Sequence, residues 1–285
     1  MIPKIAVIND LSGFGRCSLT AAIPVLSVMG VQACPLPTAV LTAQTGYPSY
    51  YCDNYTDRMD YFIHEWDKMN VAFQGIYTGY VTNAKQIEKI FKVLDTFYKE
   101  DTFLIADPVM GDDGKTYHMY SEDLLKQMKH LIQVADFATP NLTELCLLTD
   151  TSFSKLPAKD NPDELFAVIR ELGQIICAKG TGSVIITGIR FFNKETNQPE
   201  IGNLYVTQET SQLFSFPDLG GSYSGTGDLF ASVLCGGIAK GDKIEDTIIL
   251  AGTFLYQSLQ DSIIAKTPTI EGINFEKYLS LLIPN

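Results

Sequence analysis

Three short runs of residues carry side chains that could act together on a phosphate. The first is Gly220-Gly221-Ser222-Tyr223-Ser224-Gly225-Thr226-Gly227-Asp228, followed at once by an apolar helical run over 229–234. Glycines let the chain turn tightly and let a ligand approach with no Cβ in the way. At a helix start the unpaired N–H groups and the dipole favour an anion. The amides of Gly225, Thr226 and Gly227 could hold charge on a migrating phosphoryl group, and Asp228 could accept the proton of an attacking hydroxyl. The run also has a plainer reading, a turn whose Asp228 caps the helix, and it lacks the G-K-[ST] of a Walker A loop.

The second run, Asp107-Pro108-Val109-Met110-Gly111-Asp112, follows a strand-like stretch, and Pro108 holds Asp107 extended. The third, Asn141-Leu142-Thr143-Glu144, follows another strand and opens a helix. Asn141 and Glu144, at i and i+3, share one helix face. Oxygen ligands of this kind, often acting through water, suit Mg²⁺ on a nucleotide phosphate, while Asn141 fits an N-cap equally well.

The elements that must position these runs alternate in a βαβ rhythm, which predicts a parallel sheet. Strands are expected at 4–9, 31–35, 75–78, 103–106, 137–138, 183–187, 203–206 and 213–216. Helices are expected at 18–29, 58–69, 84–98, 121–132, 142–148, 162–178, 226–240 and 243–260, with a short one near 275–282. In the helix at 84–98, Ile87, Ile90, Phe91 and Leu94 form the apolar stripe. Residues 193–202 read as an exposed hairpin tip. Four strands end in chemistry: Asn9-Asp10, Thr78-Gly79-Tyr80, Asp107-Pro108 and Thr139-Pro140-Asn141. In open parallel sheets, ligands sit beyond that edge. No linker interrupts the chain, so one domain over 1–285 is expected.

From about Ile5 onward the chain resembles the ribokinase superfamily. G-T-G-D before a helix and N-x-x-E are marks of that superfamily. D-P-V-M-G-D, T-P-N-x-x-E and T-G-Y at residues 78–80 are closer to its pyridoxal kinases than to its sugar kinases. The resemblance implies an α/β fold, a ribokinase-like three-layer sandwich whose mostly parallel central sheet has helices on both faces. It implies ATP-dependent phosphorylation of the 5′-hydroxymethyl group of a B6 vitamer (pyridoxal, pyridoxamine or pyridoxine), in a homodimer. Asp228 would be the base, with Gly225, Thr226 and Gly227 as the anion hole. Asp107 and Glu144 would lie by the nucleotide phosphates and their Mg²⁺, directly or through water. Asp112, Asn141 and Thr187, the last ending its strand, would fall on the nucleotide side. Thr45 and Tyr80 would line the vitamin ring, and residues 111–120 would form a mobile cover that excludes water.

Asp10 departs from this pattern. Aligned on Gly15, it stands where pyridoxal kinases carry a serine that contacts the ring nitrogen, and a carboxylate there prefers a protonated nitrogen. Acidic residues at this place also occur in hydroxymethylpyrimidine kinases, and Gln44 resembles those enzymes too. They usually carry a cysteine at the base position, where this chain has Asp228. A hydroxymethylpyrimidine kinase, or a non-catalytic vitamin- or nucleotide-binding protein on the same fold, are the alternatives.

Other candidates keep two readings each. Ser12-Gly13-Phe14-Gly15-Arg16 is either a substrate cradle or a tight turn into the following helix. Tyr47, in an aromatic cluster with Tyr50, Tyr51 and Tyr55, is either a wall against the ring or a dimer contact, or it simply packs. Cys17 lies near the cradle with no His close in sequence to activate it. His64, His118 and His130 lack metal spacing, and Arg190 could touch a phosphate or be a solvated charge.

Composition narrows the class. With 21 Lys and Arg against 33 Asp and Glu, the net charge is −12 and no basic cluster supports a nucleic-acid partner. No apolar run approaches a membrane span. The first residues are too quickly polar for a signal peptide, and six scattered cysteines without a C-x-x-C pair suit a reducing compartment, so a cytoplasmic location is expected.

Overall fold

The structure, a computed structural model, describes residues 2–284. It divides into two compact units, residues 1–105 with 219–285, and residues 106–218.

In the first unit, β1 (Lys4–Ser12) is the central strand. Ile5, Ala6, Val7 and Ile8 are fully buried although successive side chains point to opposite faces, so both faces are covered. The strand order is β5 (Phe103–Ala106), β4 (Gly75–Thr78), β1, β2 (Gln32–Leu41), β3 (Cys52–Asn54). β1 runs parallel to β2 and β4, and only β3, a three-residue edge strand, pairs antiparallel on β2. The helices α1 (Ser18–Val28), α2 (Met59–Lys68), α3 (Ala84–Phe97), α7 (Thr226–Lys240) and α8 (Ile244–Ile264) complete this unit. α1 packs on β1, β2 and α7, and α7 packs on α8. In α3 the buried stripe is Ile87, Ile90, Val93 and Phe97, while Phe91 and Leu94 are only half-buried. Phe97 turns the stripe by packing edge-on against Phe73.

In the second unit, β8 (Phe137–Ala138) runs parallel to β9 (Ser183–Asn193), which continues antiparallel into β10 (Gln198–Val206) and β11 (Ser211–Pro217). The helices are α4 (Glu122–Gln133), α5 (Leu142–Leu148) and α6 (Pro162–Ala178), with α6 laid on β9 and β10. Residues 111–120, expected as a mobile cover, begin as a small hairpin of β6 (Gly111–Asp112) and β7 (Lys115–Thr116). Asp113 and Gly114, at φ 48° and 76°, make the paired left-handed turn that an Asp-Gly dipeptide favours.

Three expected elements match their bounds in the first unit or at its edge (β4, β5 and α7), and β8, α5 and α6 match in the second. β1, β2, β9 and β10 run longer than expected. β9 continues past Thr187 through a bulge: the register against β10 slips between Gly202 and Leu204, opposite a left-handed Gly188. Thr187 therefore lies inside a strand rather than at its end. The stretch 275–282 winds as a 3₁₀ helix.

Candidate active site

At the start of α7, Gly225 is the N-cap, at φ 79°, a left-handed conformation. A Cβ there would fall 1.9 Å from the carbonyl oxygen of Arg16, so only glycine fits. No side chain caps this turn, which leaves its amides to a ligand. The Thr226 hydroxyl is turned back onto the Tyr223 carbonyl at 3.2 Å, so its contribution to a ligand is the backbone N–H.

Asp228 does not cap the helix. Its carboxylate accepts from the Asn9 amide, Nδ2 to Oδ1 at 3.1 Å, and from the backbone N–H of Ser18 at the start of α1. Burial, opposed by the Ser18 amide, reinforced by Asp10 and opposed by Asn9, pushes its pKa up to about 6. The carboxylate is thus ionised near neutrality yet close to its titration point, the state a general base requires.

Asp10 is buried, and its two oxygens accept from the hydroxyls of Ser12, at 2.8 Å, and Ser18. Burial raises its pKa against those two hydrogen bonds. Ser12, expected in a substrate cradle, is buried and turned onto Asp10. Ser18 holds this arrangement at φ 50°, an uncommon value for a residue with a side chain. Tyr80 is half-buried, its N–H bound to Asn9 Oδ1 at 2.9 Å, and burial with Asp10 close by raises its phenol. Thr45 is exposed. Tyr47 is half-buried, with its ring edge on Phe14 at 5.6 Å and its hydroxyl buried without a hydrogen-bond partner. Gln44 spends its amide within the protein, donating to the Ile270 carbonyl at 2.9 Å and accepting from Gly46 N–H at 2.7 Å. The cysteine beside the cradle is no nucleophile: burial and the charges of Asp228 and Asp10 keep the Cys17 thiol protonated.

The second unit carries the other predicted residues. Asn141 is the N-cap of α5 and accepts from Thr143 and Glu144 N–H, at 2.9 and 3.0 Å, while Nδ2 donates to the Gly111 carbonyl. Glu144 closes this capping box, accepting from Asn141 N–H at 2.9 Å and from Met110 N–H at 3.1 Å. Burial first, then the neighbouring Asp107, raises its pKa well above the carboxylate range. Asp107 is buried and accepts from the Thr139 hydroxyl at 3.1 Å. Thr187 bridges to Asn141 in parallel register. Asp112 and His118 are exposed, as is His64 in the first unit. Arg190 pairs with Asp218 at 3.2 Å, which favours a structural role over a phosphate contact.

Among the described residues no group of three or more His, Cys, Asp or Glu could enclose a metal, and all six cysteines are free. Nor is any described helix long and apolar enough to cross a membrane. The sequence marks Asn9-Asp10 as a polar strand end, but not the hydrogen bond that joins Asn9 to Asp228.

Known proteins resemble this chain. The chain is similar to a candidate phosphomethylpyrimidine kinase from Bacteroides thetaiotaomicron, crystallised in a form with pyridoxal, at 37% identity and a TM-score of 0.90 over 99% of this chain and 96% of that one. It is similar to pyridoxal kinase from Lactobacillus plantarum at 26% identity and a TM-score of 0.86, over 99% and 97%. That likeness bears out the expected fold, a mostly parallel central sheet with helices on both faces. The pyridoxal kinase of Dictyostelium discoideum is 26% identical over 83% of this chain and 78% of its own length. These relatives bear out the resemblance to pyridoxal kinases drawn from the motifs. The model of one family, phosphomethylpyrimidine kinase, matches residues 16–270, and the chain belongs to that family of kinases.

Proposed function

We propose that this chain transfers the γ-phosphate of ATP to the 5′-hydroxymethyl group of a B6 vitamer. The observation that carries the reading is Asp228, a carboxylate with a pKa of about 6 in the uncapped first turn of α7. Asp228 orients the alcohol and takes its proton, while the amides of Gly225, Thr226 and Gly227 hold charge on the transferring phosphoryl. The B6 identity is supported by the pyridoxal kinase relatives and by the pyridoxal in the Bacteroides structure. ATP as donor follows from the kinase family.

The ring side of the site comprises Asp10, Ser12, Thr45, Tyr47 and Tyr80, with Ser12 acting through Asp10. Within the second unit, Asp107, Asp112, Asn141, Glu144 and Thr187 are the residues that the resemblance assigns to the nucleotide. Two buried carboxylates that repel one another, Asp107 and Glu144, fit a hard divalent cation that takes its remaining ligands from phosphates and water. These two residues would hold Mg²⁺, directly or through water, and the ion would neutralise phosphate charge. The rest of the reading is one kinase domain over 1–285, a homodimer by family resemblance, and a cytoplasmic location, which six free cysteines suit.

The family's name points to a substituted pyrimidine as substrate, which keeps open a second reading, phosphorylation of hydroxymethylpyrimidine. Against it, the base is an aspartate and Gln44, the residue that resembles those enzymes, has its amide engaged by the backbone. The test is ADP release and mass detection of the phosphate ester, with ATP and Mg²⁺, for pyridoxal, pyridoxamine, pyridoxine and hydroxymethylpyrimidine in parallel. Phosphorylation of a B6 vitamer is expected. Turnover of the pyrimidine alone would replace this reading with the second, and binding without ADP release would leave a non-catalytic protein.

A further inference from the structure

Asn9 is fully buried within β1, following the buried run Ile5, Ala6, Val7 and Ile8, where an amide costs free energy unless its hydrogen bonds are made. It makes three. Nδ2 donates to Asp228 Oδ1 at 3.1 Å, and Oδ1 accepts from Asp10 N–H at 3.0 Å and from Tyr80 N–H at 2.9 Å. The local backbone is shaped around it. The β1–β2 register slips between Asn9 and Leu11, the kind of bulge that re-aims side chains beside a site. A Cβ on Gly79 would lie 2.4 Å from Asn9 Nδ2, so the glycine of Thr78-Gly79-Tyr80 makes room for this one side chain.

We propose that Asn9 is a positioning residue for phosphoryl transfer, fixing the Asp228 carboxylate through Nδ2 while Oδ1 ties it to the backbone of Asp10 and Tyr80. This rests on the reading of Asp228 as the base. A donor aimed at a carboxylate oxygen stabilises the ionised form and fixes the direction in which the group meets a substrate hydroxyl. The titratable groups facing Asp228 are Asp10 from β1 and the Cys17 thiol from the turn before α1; the neutral donors are Asn9 and the Ser18 amide.

The experiment compares wild type with Asn9→Asp, which keeps shape and acceptor but replaces the donor with a second oxygen, and with Asn9→Ala, which removes both. Two readouts are taken across pH: kcat with the B6 vitamers, and the Asp228 carboxyl resonance in ¹³C-aspartate-labelled protein, assigned with Asp228→Asn. A like charge at this range strongly raises one carboxyl pKa of the pair, so in Asn9→Asp the acid limb of kcat and the Asp228 midpoint move up together, by about one pH unit or more. In Asn9→Ala both move up less. A purely structural role would lower Tm and leave both midpoints where they are; unshifted midpoints in a folded variant overturn the proposal. If Asn9→Asp does not fold, Asn9→Ala decides on the same terms. The resonance is read without substrate, so a wild type inactive on every vitamer refutes the proposed function while the Asn9 question is still answered.

Discussion

The two units each bury a carboxylate whose pKa is raised, and they hold it in opposite ways. Asp228 receives one side-chain donor and one backbone donor and stays near pH 6, so one change of partner moves it across the working range. Glu144 has both oxygens taken by backbone amides, and burial with Asp107 beside it still raises it well above its ordinary value. Two backbone donors lower a carboxyl pKa, yet here they lose to burial and a like charge. The first arrangement suits proton transfer. The second favours the neutral acid at Glu144, and a cation bound beside Asp107 would displace that proton.

The comparison breaks first at the base. Asp228→Asn keeps the shape and the helix turn but cannot take a proton, and kcat should fall by roughly 10²-fold or more. Steady-state ADP release, with Tm as the control for folding, measures this; near-normal turnover in a folded variant would remove Asp228 from the mechanism. Next is Gly225→Ala. The new methyl meets the Arg16 carbonyl and the left-handed backbone is strained, so unfolding free energy should drop by about 2 kcal/mol or more. Denaturant melts give that number, and activity should fall with it because the turn carries the anion hole.

Glu144→Gln tests the second arrangement. The amide puts an N–H where an oxygen now accepts one, and it removes a charge, so KM for MgATP should rise by roughly tenfold. The pH dependence has a defined sign. A carboxyl whose pKa is raised by folding binds protons more tightly when native, so the wild type loses stability as pH rises from the ordinary carboxylate range toward the raised value. The variant lacks that loss. The wild-type minus variant Tm difference should therefore shrink as pH rises, and a difference that grows would mean Glu144 is not held as described.

These features were not equally legible in the sequence. The turn at residues 220–228 is local, with glycines, a helix start and an acid within nine positions, so it could be read directly. Glu144 was legible for the same reason, three residues after Asn141 on one helix face, and the structure closes the two as a capping box. Asn9 was not, because its partner Asp228 lies 219 positions away and no local pattern connects them. Thr187 was placed at a strand end because apolar alternation falters at Gly188, whereas hairpin pairing with β10 carries the strand through the bulge. β3 is too short for any period, and the Asp113-Gly114 turn was overlooked within a stretch read only for its mobility.

The smallest effect belongs to Asp10, and it should have the opposite sign to Asn9→Asp. Asp10 contributes negative charge that raises Asp228, so Asp10→Ser should move the acid limb of kcat down by a fraction of a pH unit. The premise is that Asp10 is ionised while Asp228 titrates. Hydroxyl donors from Ser12 and Ser18 favour ionisation, and burial opposes it. A downward shift means the hydroxyls win, and Asp10 then presents a full charge suited to a protonated ring nitrogen. With no shift, Asp10 is a neutral acid, and the two units would differ less than their geometry implies, each keeping a buried carboxyl protonated. Measuring kcat against pH for the wild type and Asp10→Ser, with pyridoxal and pyridoxamine as substrates, separates these cases.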